Sequence, residues 1–186
     1  EDGIRDYKVT GVQTCALPIC DYIYEYSADS TSYAGGTGKQ LGRVHEPTNE
    51  IVTLADYRAR YNQYRLDPDL RALHQQHPII HVWDDHESAN DSYTDGAENH
   101  QPNEGDWVVR RELSKKACNE WLPTRESTNG NEYRLFVWGS LLDIAMLDTR
   151  LDGRDKQILD VGDKDRKSTP SELQSPCNLV CRLLLE

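Results

Sequence analysis

The sequence predicts an α/β fold, and three observations carry that expectation. Short apolar runs suited to buried strands alternate with segments whose apolar residues recur at helical spacing. Clear helix-start signals separate the two kinds of segment. Polar, acid-rich loops follow the strand-like runs directly, as at the carboxyl edge of an α/β sheet. At 186 residues, the length fits one domain with a core large enough to fold.

Each element has its own signal. DYIYEY, 21–26, reads as the end of a buried strand that runs into a loop, with the body of the strand upstream. SADSTSYAGGTGKQ, 27–40, reads as a loop from its Gly and Ser content. GGTGK within it is no phosphate loop, because Tyr33 stands where GxxxxGK needs its first Gly and Gln40 stands where it needs Ser or Thr. Thr53 and Asp56 form a capping box that opens a helix, with Leu54, Tyr57, Tyr61 and Tyr64 on its apolar face. Asp67 as N-cap and Pro68 at the first position start a second helix, with Leu70 and Leu73 turned inward. PIIHVW, 78–83, suits a short buried strand, and DDHESANDSYTDG, 84–96, is the polar loop at its end. A helix over 105–121 has Trp107, Val108, Leu113, Ala117 and Trp121 as apolar positions. Tyr133–Trp138 and Leu141–Leu147 read as two strands paired through Gly139-Ser140. No internal repeat is visible.

A net charge of -11 argues against a nucleic-acid-binding or anionic membrane surface, since such a surface repels phosphates. Acidic groups gathered at one site can still bind cations. No run of about 20 apolar residues is long enough to span a bilayer. EDGIRDYK, at the start, lacks the cationic and apolar regions of a signal peptide, so no targeting signal is expected in this chain. The five cysteines cluster toward the ends without a CxxC pair, which argues against a disulfide framework.

The two ends stand apart from the rest. EDGIRD and VTGVQTCALPI back-translate to one strand of a common short-read sequencing adapter, with Tyr7-Lys8 where a sample index would lie. DRKS, from Asp165, and NLVCRLLLE, 178–186, resemble the same adapter in roughly the opposite direction. The expectation is therefore a non-native flank at 1–19, a native core at 20–164 and a second non-native flank at 165–186, with the flanks excluded from fold reasoning. Cys20 falls at the first junction.

DYIYE and WDDHESAND hold the chemistry. Carboxylates, a phenol and an imidazole suit hard cations such as iron, manganese or calcium, and also zinc, rather than a soft thiolate site. On the residues alone, Asp21 and Tyr24 read more simply as a polar strand end and a packed tyrosine, and 84–87 reads equally well as an acidic turn. HESAN is not the HExxH of a zinc protease, because Asn90 replaces the second His. His74, His77, His81 and His100 read as structural or exposed. Arg150 suits a planar fork on a carboxylate or phosphate, or a structural ion pair.

The core resembles the PhoD-like alkaline phosphatases, a branch of the calcineurin-like metallophosphatases. The resemblance runs through DYIYEY, ADYRARYNQYRLDPDLRALH, WDDHESANDSYTDGAENH, EGDW and LDTRLDGRD. It implies a fragment of a four-layer α-β-β-α sandwich. The GDxxY pattern of the wider superfamily falls on Cys20 to Tyr24, with Cys20 where Gly belongs. Asp21 is then implied to bridge two metals and Tyr24 to bind a ferric ion. GN-H-[DE] falls on Asp84 to Glu87, so Asp85 takes the metal-binding Asn position and His86 contacts the phosphate or the leaving oxygen. Asp84, Glu87, Asn90 and Arg150 would support the site or the substrate. Calcium and iron are the implied cofactors and a phosphate ester is the implied substrate. The implied parent is periplasmic or secreted.

The family's first metal motif lies upstream of DYIYE and its later His motifs lie beyond LDTR. This chain is therefore expected to be a fragment with little or no activity. Two other readings use the same residues: a phosphodiesterase or phospholipase-like enzyme on the same scaffold, and a non-catalytic acidic calcium-binding module.

Overall fold

The computed structural model describes residues 21–31, 33–124, 133–140, 142–152, 154–155 and 179–183. The strand expected upstream of Asp21 lies outside them. Among these residues, four α-helices, one short 3-10 turn and one three-stranded sheet are formed: α1 Tyr33–Gln40, α2 Leu54–Arg65, α3 Pro68–Gln76, the turn Pro102–Glu104, α4 Trp107–Trp121, β1 Arg134–Trp138, β2 Leu142–Met146 and β3 Leu179–Leu183.

Helix α1 corrects the reading of 27–40 as a continuous loop. Its glycines supply close approach rather than flexibility. A Cβ on Gly35 would sit 2.8 Å from the Ser27 carbonyl oxygen, and one on Gly38 would sit 2.6 Å from that of Arg43. Helix α2 starts as expected, with both halves of the Thr53–Asp56 capping box formed. Tyr57 and Tyr61 are fully buried, and Leu54 and Tyr64 pack against the core from its edge. Helix α3 begins with the Asp67 side chain accepting from the Asp69 and Leu70 N–H groups, and Leu70 packs against the same core.

Helix α4 runs from an Asp106 cap and packs on α2. Its buried face is Trp107, Arg110, Ser114, Ala117 and Cys118. Val108, expected to face inward, is 50% exposed. Arg110 takes the inward position because each of its donors finds an acceptor there: the Tyr57 hydroxyl, the Asn99 and Ile51 carbonyls, and the Glu50 and Glu104 carboxylates.

The 78–83 run is a second correction. Ile80, His81, Val82 and Trp83 are buried as a strand would be, yet among the described residues the run forms no ladder and has only a bridge position at Ile79. A ladder needs a partner strand, which periodicity within one segment cannot supply. His81 is held neutral by burial and by the nearby Arg134 charge, which push its pKa down to about 3. The β1–β2 hairpin forms as expected, with Trp138 opposite Leu142 and Gly139 at φ +59. Ile144 and Met146 face inward from β2, while Leu135 and Val137 on β1 are exposed. β3, within the segment 165–186, pairs antiparallel with β2.

Candidate metal centre

Two segments converge beyond the helical core. The first is 21–26 and the second is the loop 84–91. Buried Arg60 of α2 fixes the first. Its guanidinium donates to the carbonyls of Tyr24, Tyr26 (3.1 Å), Glu46 (3.1 Å), Pro47 (2.9 Å) and Asn49 (3.3 Å). Tyr57 of α2 steadies the second segment, its hydroxyl donating to the Ser88 carbonyl at 2.5 Å. Glu87 joins the two: one carboxylate oxygen accepts from the Tyr22 N–H, the other from the Asp84 N–H at 2.7 Å.

Asp21, Asp85 and His86 meet at the junction. Each offers one ligand atom, and these atoms lie within 4.8 Å of one another. The Tyr24 hydroxyl lies 3.4 Å from Asp21 Oδ2, and its ring packs 4.4 Å from the His86 ring, centroid to centroid. Asp21 Oδ1 is buried without a hydrogen-bond partner. Asp21 and Asp91 adopt positive φ of 51° and 52°, a conformation that costs a non-glycine residue about 1–2 kcal/mol.

Electrostatics follow from this crowding. Burial raises Asp21 to about 6, with the charges of Asp84 and Asp85 adding to the rise and those of His86 and Arg150 opposing it. Burial likewise raises Asp84. Asp85 moves the other way: burial would raise it, but Arg150, His86 and the Asp91 N–H outweigh burial and hold it low. His86 is raised to about 9, because its bond to Glu25 and the charges of Glu25, Asp85 and Asp21 outweigh burial. Burial and the Asp21 charge push Glu87 up to about 8, against its two backbone donors. A cation among Asp21, Asp85 and His86 would relieve both the repulsion and the unpartnered oxygen, so the donor set fits a hard metal ion.

The remaining sequence candidates lie around this cluster. Arg150 pairs with Asp84 and reaches Asp85 at 3.5 Å and Asp91 at 3.4 Å. Asn90 donates its backbone N–H to Glu25 at 2.7 Å and its side-chain amide to Glu98 at 2.7 Å. Glu87 is committed to backbone N–H groups rather than to the cluster. Sequence reasoning placed Asp91 beside Asn90 in the same loop without a defined role, and it did not single out Glu25, Asp148 or Arg154. Glu25 binds His86 Nδ1 at 2.7 Å, Arg154 pairs with Asp91 at 2.7 Å, and Asp148 accepts from the Arg150 and Leu151 N–H groups at 2.9 Å. Glu25 lies inside the DYIYE cluster, but nothing local marks it apart from its neighbours.

The family profile described as PhoD-like phosphatase matches residues 15–177. Alkaline phosphatase D of Bacillus subtilis (strain 168) is 40% identical over 149 residues, covering 77% of this chain and 24% of the relative. A solved structure described as "Structure of PhoD" superposes with a TM-score of 0.64 at 33% identity, over 82% of this chain and 30% of that one. The chain thus spans about a quarter of the length of the curated relative it matches. By the extent of the profile match, the chain belongs to the PhoD-like phosphatase family.

Proposed function

We propose that this chain is part of a metal-dependent phosphatase that hydrolyses phosphate esters. In this reading Asp21, Tyr24 and Asp85 are metal ligands and His86 meets the phosphoryl or leaving-group oxygen. The observation that carries it is the convergence of Asp21, Asp85 and His86, with a buried, unpartnered Asp21 oxygen among them. Bound cations, calcium and iron in this reading, would supply charge neutralisation for phosphoryl oxygens and a water that ionises near neutral pH. His86 Nδ1 lies 2.7 Å from Glu25 Oε2, so the other ring nitrogen is the one left to meet an oxygen that gains charge. Arg150 ties Asp84 to Asp85 and Asp91, which keeps the loop in place. The parent enzyme is periplasmic or secreted. Among the described residues no helix is long and apolar enough to cross a membrane.

We further propose that 1–19 and 165–186 are foreign flanks, and that the isolated chain is nearly inactive because further ligands lie outside it. A site short of ligands binds its metal weakly. Calorimetry with calcium and with ferric iron tests the site: weak binding that Asp21→Asn abolishes supports it, and no binding overturns it. A visible tyrosinate band with iron, lost in Tyr24→Phe, would support the phenolate ligand. Metal-dependent turnover by the isolated chain would overturn the inactivity. Coding DNA that departs freely from the adapter at synonymous positions would overturn the flank assignment.

A further inference from the structure

We propose that Glu25 is a positioning residue whose buried carboxylate fixes His86 with Nδ1 turned into the protein, leaving Nε2 as the ring nitrogen for the reaction. The proposal rests on reading the Asp21–Asp85–His86 cluster as a phosphatase site.

Glu25 is completely buried. Its Oε2 lies 2.7 Å from His86 Nδ1, and its Oε1 accepts from the Asn90 N–H at 2.7 Å and the Asn99 amide at 2.8 Å. A carboxylate only accepts, so Nδ1 must carry a hydrogen. A lone pair there would face an anion and leave Glu25 under-satisfied in the interior.

The surroundings make this geometry rigid. Arg60 holds the backbone carbonyls on both sides of Glu25, those of Tyr24 and Tyr26. Arg110 holds the Asn99 carbonyl at 3.0 Å. The Tyr24 and Tyr26 rings flank the imidazole at centroid distances of 4.4 Å and 5.4 Å. Glu25 therefore fixes the imidazole on a support that is itself held by two buried arginines, as a proton-transferring group requires.

Glu25→Gln separates positioning from filling space. The amide oxygen can still accept from Asn90 and Asn99, which turns the amide NH2 toward His86. Nδ1 must then become an acceptor and give up its hydrogen. Long-range nitrogen–proton correlation spectra of the ring, recorded on the metal-free full chain, read this directly, with His86→Gln to assign the signal. The expected result is a protonated Nδ1 in the parent chain, its loss in Glu25→Gln and its retention in Glu25→Asp. An unprotonated Nδ1 in the parent chain overturns the proposal. So does a Glu25→Gln spectrum with Nδ1 still protonated. Should Glu25→Gln fail to fold, the parent and Glu25→Asp spectra decide. Calcium added to the same samples tests the underlying reading separately: a protonated Nδ1 in a chain that takes no cation keeps the orientation and removes its catalytic meaning.

Discussion

Helix α2 and the loop 84–91 both bury charge, and they do so in opposite ways. Arg60 on α2 is fully buried, yet its donors meet carbonyl oxygens and the His45 ring within the protein. Asp84 and Asp85 are placed beside Asp21, and one Asp21 oxygen has no partner at all. The buried arginine of the helical region is paired within the protein. The loop region is held in place by Arg150, Arg154 and Glu87 but is electrostatically incomplete. A buried charge fully paired inside the protein contributes to the fold, whereas buried like charges held together point to something the site is built to bind.

The largest expected effect lies in the helical region. Arg60→Met should strand several buried carbonyls and destabilise the chain by more than about 3 kcal/mol in urea unfolding. A loss below about 1 kcal/mol would mean that the carbonyls find water and that the contrast between the regions is wrong.

Next comes a pH dependence confined to the loop. Glu87 is raised from 4.5 to about 8 on folding, so the folded chain holds a proton that the unfolded chain releases between those values. Its contribution is fully present below pH 4.5 and is lost as pH rises through 8. Urea midpoints of the metal-free chain should fall over that range, and Glu87→Gln should flatten the fall. An unchanged slope in the variant would assign the dependence elsewhere.

A smaller effect of opposite sign is expected at Asp21. Asp21→Asn removes a charge repelled by Asp84 and Asp85 and places a residue that tolerates positive φ. It should stabilise the metal-free chain by about 1 kcal/mol, allowing for the water that reaches this site. It should also abolish any rise in melting temperature with calcium. Destabilisation without metal would show that Asp21 serves the fold rather than a cation.

The smallest effect belongs to the end of α2. Thr53→Ala removes the side-chain acceptor of the capping box and should cost about 1 kcal/mol, with calcium binding unchanged. A change in calcium binding would show that the two regions are coupled.

Much of the fold was legible locally. Thr53, Asp67 and Asp106 cap helices through contacts three residues away or closer, and Gly139 turns a hairpin between adjacent strands. Such signals lie within one window of sequence. Helix α1 was not legible, because its glycines are required by the Ser27 and Arg43 carbonyls packed against them. The inward face of α4 was misjudged at Val108 and Arg110 for a related reason: acceptors on distant segments make an arginine the better buried residue.

The site divides along the same line. By itself the sequence marked the candidate residues, because Asp, Tyr and His gathered after apolar runs are visible as types and the motif spacing matches a family. Only the tertiary structure decided which partners each one meets. Glu25 and His86 are 61 residues apart, and Arg150 and Asp84 are 66 apart. Whether Glu87 faces a cation or two backbone N–H groups depends on where the 21–26 segment lies against the loop. That placement is set by Arg60, Tyr57 and the packing of α2 on α4, and contacts between distant segments leave no periodicity in the chain that makes them.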